Sequence, residues 1–248
     1  MAVKLARICT VVGATAVAVG LTACGPDAAP AGPPTATTSV AAPTTSAIAA
    51  PATSAELAKK TVAAITKATS VRVTGTGVVG GKPTSTNLAG STDDSNGHHV
   101  AALDTGGVVE FILAGGNTYL KADEAFWKAQ RLEDFGRPYL GKWLKSPAAK
   151  KVEGSTTVSH HLKSLIDSSA PELLAPAVET TTLDGKPVFV WTRSLGKEAG
   201  QVFVAADGSW LPVKASTRNE VFLYSDWNKV APVSAPPADL VVDAGGLP

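Results

Sequence analysis

Two adjacent pairs hold all four histidines of the chain, His98–His99 and His160–His161. A zinc site would need ligands at i,i+2 or i,i+4 spacing, or ligands converging from separate elements. Neighbouring residues point to opposite faces of a strand and diverge by about 100° on a helix, so neither pair chelates alone. Both pairs read as solvated side chains. Gly75, Gly77 and Gly80 spell GxGxxG after a strand-like run, the spacing of a dinucleotide loop. Pro83 stops any helix whose N-terminus could hold a phosphate, and "TSTNLAGS" beyond it has no helical period. The glycines therefore read as a flexible turn or bulge. Asp93 and Asp94 sit in "TDDSNG", where aspartates shape turns. Glu133 and Asp134 are adjacent carboxylates with no partner for acid–base work. With no GxSxG, HExxH or P-loop in the chain, no active site, metal or cofactor is expected, and the protein is not expected to be an enzyme.

The cysteines carry a different chemistry. Cys9 lies inside an apolar run, Ile8 to Leu21, that follows a short basic start with Lys4 and Arg7. That run is too short to span a bilayer core of ~30 Å as a stable helix. It has the layout of a secretion signal. Cys24 closes "LTAC", which resembles a bacterial lipobox, and the resemblance implies cleavage after Ala23 and a diacylglyceryl thioether on Cys24. An otherwise unpaired thiol in an exported chain is thereby accounted for.

Beyond the signal the chain has no disulfide partner, so a hydrophobic core must hold the domain. The formal net charge is +1 and falls to about −1 without Lys4 and Arg7, which leaves no electrostatic footprint for nucleic acid. The same balance gives no reason for an oligomer, and a monomer is expected. Gly25 to Thr53 has one charge, Asp27, no aromatic residue, and frequent proline, alanine and threonine. Such a segment buries too little apolar surface to order itself and reads as a tether. The expected organisation is a signal over 1–23, lipidated Cys24 and tether over 24–53, a folded domain over 54–240, and a tail over 241–248.

The domain opens with a helix: Thr53 and Glu56 have capping-box spacing, and Leu57, Ala58, Val62, Ile65 and Ala68 share a face. From Ser70 the period changes to two. "SVRVTGTG", "TSTNLAGS", "HHVAALDT", "GVVEFILA" and "TYLKA" read as strands separated by turn residues. An aromatic-rich, irregular stretch from Asp123 to Lys151 follows, then a helix in "SHHLKSLIDSS". Strands resume in "AVETTTL", "VFVWTRS", "GQVFVA", "WLPVKAST" and "NEVFLYS". Helix, strands, helical insertion, strands is the order of an α+β domain with an antiparallel meander.

The segments "NTYLKADEAFWKAQ", "GKWLKSP", "GQVFVAADGSWLPVKAST" and "VFLYSDWNKVAPVSAPPAD", together with the lipobox, resemble actinobacterial lipoproteins of the LolA-like superfamily, the LppX and LprG type of lipid carriers. The resemblance runs from about Ala55 to Asp239. It implies a curved antiparallel sheet, an open half-barrel, with helices covering its concave face around an apolar cavity. It also implies a lipid or glycolipid ligand, or a lipoprotein, held at the extracytoplasmic face of the cell membrane. A sensor or scaffold that binds a protein partner is the alternative on the same fold.

Alternation supplies the candidate lining. Val109, Phe111 and Leu113 oppose Glu110; Val202 and Val204 oppose Gln201; Leu211 and Val213 oppose Lys214; Val221 and Leu223 oppose Glu220. Leu57, Val62 and Ile65 from the first helix, and Leu162, Leu165 and Ile166 from the second, would face them. Phe126, Trp127 and Trp143 are the candidate lid. Leucine and valine at sheet spacing also fill ordinary cores. The anchor is directly testable: Cys24→Ala should move the protein from the membrane fraction to the soluble fraction on cell fractionation, and a variant that stays with the membrane contradicts lipidation at Cys24.

Overall fold

The structure is a computed structural model that describes residues 48–79, 82–104, 106–147, 157–195 and 198–243. Cys24, the signal and most of the tether lie outside the described residues. The last residues before the first helix do not trail free, because Ile48 packs on the main core and Pro51 is buried. Helix α1 spans Ser54–Lys67. The Thr53 hydroxyl accepts from the Glu56 backbone N–H at 3.2 Å, whereas the Glu56 carboxylate turns to the Ala52 N–H, also at 3.2 Å. The capping box is thus half closed, and the acidic side chain satisfies a donor one residue further out. Leu57, Ala58, Thr61 and Ile65 are buried, while Val62 is only half-buried.

Five strands follow: β1 (Ser70–Val79), β2 (Lys82–Ser91), β3 (Gly97–Leu103), β4 (Val108–Ala114) and β5 (Asn117–Ala122). The irregular stretch folds as α2 (Glu124–Ala129), α3 (Glu133–Gly136) and β6 (Trp143–Pro147). Then come α4 (Val158–Asp167), β7 (Glu179–Leu183), β8 (Lys186–Leu195), β9 (Glu198–Ala205), β10 (Pro212–Ser216), β11 (Val221–Ser225) and β12 (Val241–Asp243). The twelve strands among the described residues join one open, curved sheet in the order β12-β6-β5-β4-β3-β2-β1-β11-β10-β9-β8-β7. Every pairing is antiparallel except that of β12 with β6. The expected C-terminal tail therefore contributes an edge strand. The α+β class and the open sheet agree with the expectation.

Register explains the layering. Val73 sits opposite Leu88, Leu88 opposite His99, His99 opposite Phe111, Phe111 opposite Leu120, and Leu120 opposite Leu144. In the other direction Val73 meets Tyr224, Phe222 meets Ala215, Ala215 meets Val202, and Val202 meets Trp191. Cross-strand partners share a face, so this row defines one continuous side of the sheet. It is the buried side at both ends. Helices α1 and α4 cover the half around Val71, Val73, Trp191 and Val202; α2 covers the half around Phe111, Leu120 and Leu144 with Trp127. The lid expectation for α2 resolves into close packing: a Cβ on Gly136 would lie 2.2 Å from the Trp127 ring, so α3 seats its glycine flat against the indole.

Several inward assignments change. Val221 and Leu223 are 39% and 46% exposed, while Phe222 and Tyr224 turn inward with Glu220 on their side. Two aromatic rings bury more area than two aliphatic side chains, and that outweighs keeping one glutamate outward. Leu211 and Val213 are half-buried because a bulge between Pro212 and Lys214 breaks the alternation, leaving Ala215 as the inward residue. Trp143 faces the opposite side from Leu144 and packs with Tyr119 and Ala114 under Lys121 Nζ, 4.5 Å from its ring. On that outer face Glu110 accepts from Lys121 at 2.9 Å and meets His98 Nε2 at 2.7 Å. Burial raises the Glu110 pKa, but these hydrogen bonds more than offset it and hold the carboxyl below its ordinary value. Gly75 and Gly77 stand within the regular ladder of β1, not in a turn or bulge.

The dependence on α1 is open to measurement. Leu57 is fully buried in the main cluster, so Leu57→Ala should lower unfolding stability by about 2–5 kcal/mol in urea denaturation. A change below about 1 kcal/mol would mean that the helix contributes little to the fold.

Candidate functional site

Helix α4 is held over the sheet by its first turn. The Thr157 hydroxyl accepts from His160 N–H at 3.3 Å, an ordinary N-cap. Asp94, from the turn between β2 and β3, accepts from Ser159 N–H at 3.0 Å through Oδ1 and from the Ser159 hydroxyl through Oδ2. Asp94 takes the left-handed backbone region with φ 58°, which aspartate tolerates better than most residues. Its neighbour Asp93 accepts from Ser95 N–H at 3.0 Å, and hydrogen bonds from Ser95 and Ser91 hold its pKa down to about 2. The expected turn chemistry is present, and one of its two carboxylates also pins a helix.

Val158, His161, Leu162 and Leu165 form the buried stripe of α4. Leu162 and Leu165 enter the main core. His161 instead stands edge-on to Phe222, with ring centroids 4.6 Å apart. Phe222 lies across β1 where two glycines stand: a Cβ on Gly77 would come within 2.8 Å of the ring, and one on Gly75 within 2.0 Å of the Val221 carbonyl oxygen. Neither position accepts a side chain without displacing β11 or the ring. Beside this aromatic pair the helix stands off the sheet and leaves a recess of ≈ 240 Å³, bounded by Gly77, Thr84, Thr86, His160, His161 and Phe222.

A second, narrower hollow of ≈ 40 Å³ shares His161, Ser164, Glu220 and Phe222 with the first and reaches Arg193 and Tyr224. Arg193 lies on the inward face of β8, after Phe189 and Trp191 at alternate positions, and is 7% exposed. It makes no salt bridge among the described residues, and its Nε has no hydrogen-bond partner. Burial lowers the Arg193 pKa, partly countered by Tyr224 and Glu220. Burial also pushes the Tyr224 phenol well up, so it is neutral at physiological pH. Thr86 Oγ1 is a further buried oxygen with no hydrogen-bond partner.

The sequence candidates are distributed otherwise. Leu57, Ile65, Leu162, Leu165, Val202 and Val204 pack together in the main cluster, with Ile166 against it. Val109, Phe111 and Trp127 form the second cluster with Phe126 on its edge, and Leu113 is buried on the same sheet face. Among these candidates only Leu165 borders the hollows. His99 and His161, expected as solvated, are 2% and 8% exposed. Arg193 was not singled out from the sequence, although the alternation of Phe189, Trp191 and Arg193 in "VFVWTRS" carries the signal. Among the described residues no cluster of His, Cys, Asp and Glu could hold a metal ion, and no helix is long and apolar enough to cross a membrane.

No family model and no curated protein matches the chain. Solved structures with a similar arrangement include the lipoprotein LppX of Mycobacterium tuberculosis, at 18% identity and TM-score 0.43, over 73% of this chain and 97% of that one. LprF of Mycobacterium bovis is similar at 14% identity and TM-score 0.47, over 74% and 96%. MucB in its complex with MucA from Pseudomonas aeruginosa is similar at 12% identity and TM-score 0.34, over 75% and 59%.

The seating of α4 is a measurable quantity. Asp94→Ala removes both acceptors and should lower stability by about 1–2 kcal/mol in denaturant titration, with Asp94→Asn losing less because it keeps one acceptor and the tolerance for positive φ. Equal stability of the three proteins would show that the turn does not hold the helix.

Proposed function

We propose that the protein is a lipid-anchored, extracytoplasmic lipoprotein that binds an acyl-bearing lipid or glycolipid between α4 and the helix-covered face of its sheet. The observation that carries this reading is the recess beside Phe222, where the helix stands off the sheet and the wall joins Phe222 and Val78 to the polar residues Thr84, Thr86, Ser164 and Glu220. A wall of that kind suits an amphiphile: apolar burial contributes about 25 cal/mol per Å² to holding a chain, and a few polar groups fix its orientation. The lipobox at Cys24 and the ordered series of family-like segments support the same reading. At ≈ 240 Å³ the recess takes part of a lipid.

A second reading, a scaffold for a protein partner, draws on Val221 and Leu223, which stand exposed on the outer face of β11. One experiment separates the two. Native mass spectrometry of the full chain after incubation with a lipid extract should show a stoichiometric acyl-bearing adduct beyond the anchor itself. Repeated preparations without such an adduct would overturn lipid binding and leave the scaffold.

A further inference from the structure

The hollow beside Arg193 has features that a lipid chain does not require. A guanidinium carries five N–H donors in a planar fork matched to carboxylate and phosphate oxygens. A buried cation without a hydrogen-bonded counter-ion is costly. Arg193 is nine-tenths buried, borders the hollow, and has an unpartnered Nε. Glu220 borders the same hollow without reaching salt-bridge distance of Arg193, and its Oε1 lies 3.5 Å from the Val78 N–H. Ser164 and the neutral Tyr224 phenol add hydroxyls to the wall. The surroundings thus offer one buried cation bordering the hollow, with a carboxylate that disfavours a second negative charge beside it.

We infer that Arg193 is the base of a binding site for a singly charged anionic group, a phosphodiester or carboxylate, entering between α4 and β11. The group seats on the guanidinium fork, with Ser164 and Tyr224 as flanking donors. Glu220 admits a ligand that presents a hydroxyl on that side and discriminates against a dianion. Two sources carry such a group, a small free anion or the head of an amphiphile. The amphiphile case rests on the lipid-binding reading, and the anion site itself does not.

The test is calorimetric titration of the full chain in a non-ionic detergent with three probes: dimethyl phosphate, dihexanoylphosphatidylglycerol and uncharged dihexanoylglycerol. Both phosphodiesters should bind at one site, and Arg193→Met should weaken each by at least about 10-fold while leaving dihexanoylglycerol unchanged. The same variant should melt no lower than the wild type, because a methionine replaces a buried guanidinium that has no salt-bridge partner among the described residues with an apolar stem. Should Arg193→Met fail to fold, Arg193→Lys keeps the charge but loses the fork and should weaken both phosphodiesters by at least about 5-fold. Tighter binding of dihexanoylphosphatidylglycerol than of dimethyl phosphate assigns the anion to a lipid head; equal affinities assign it to a free anion. If only the dihexanoyl probes bind, with no dependence on Arg193, the anion site is wrong and the lipid reading stands. If dimethyl phosphate binds through Arg193 and acyl chains add nothing, the anion site stands and the lipid reading fails. Absence of phosphodiester binding to the wild type overturns the inference whatever the variants do.

Discussion

Burial of a single face along the whole width of an open sheet is the constraint on which the rest of this structure depends. From Trp191 through Val202, Val73, Leu88 and Phe111 to Leu144, the cross-strand row is buried on one side. Because side chains alternate along each strand, a one-residue slip of a strand would turn its share of that row to water. Closing into a barrel would satisfy the row internally, but the sheet ends at β7 and β12 without meeting. Helices must therefore supply the missing layer, and the position of any space inside the protein is decided by where those helices do and do not touch the strands.

They do so unequally. Near β8 and β9, α1 presses Leu57 and Ile65 into Phe189, Trp191 and Val202, a fully apolar contact. Near β4 and β5, Trp127 fills the gap and Phe135 supports it edge-on at 5.6 Å. Between these halves, on β2 and β3, the same face carries Thr84, Thr86 and His99, all buried. Hydroxyls and imidazoles pack less tightly than leucines and keep the need for hydrogen bonds, so this polar band is where a layer of helices stands off with least loss. The recess beneath α4 opens beside Thr84 and Thr86 of that band.

The sequence exposed the periodicities and concealed the exceptions to them. The helices at Ser54 and Val158 and most strands follow from spacing alone, because a half-buried element repeats its apolar residues at its own period. Strand β6 escaped because it lies inside an aromatic-rich stretch without a clear period, and edge strand β12 because three residues are too few to display one. The face of β11 was misread by weighting one glutamate over Phe222 and Tyr224. The histidine pairs are instructive. Adjacent side chains diverge, which rules out chelation by one pair, but on a half-buried element the same divergence sends one of the two inward. His99 and His161 are those members, while His98 and His160 keep access to solvent.

Arg193 shows how a periodic reading can mislead by averaging. Its position is an apolar one by alternation: Phe189 and Trp191 precede it on the same face, and Gly200 sits opposite it in the ladder. A leucine there would extend the core and remove an ion from low dielectric, a change that commonly leaves stability equal or higher. Tyr224, directed inward from β11, remains neutral and so offers no charge of its own in compensation. A position that breaks the local rule without a hydrogen-bonded partner gives up folding stability for something outside the fold, and its opening onto the hollow under α4 is where that compensation can enter.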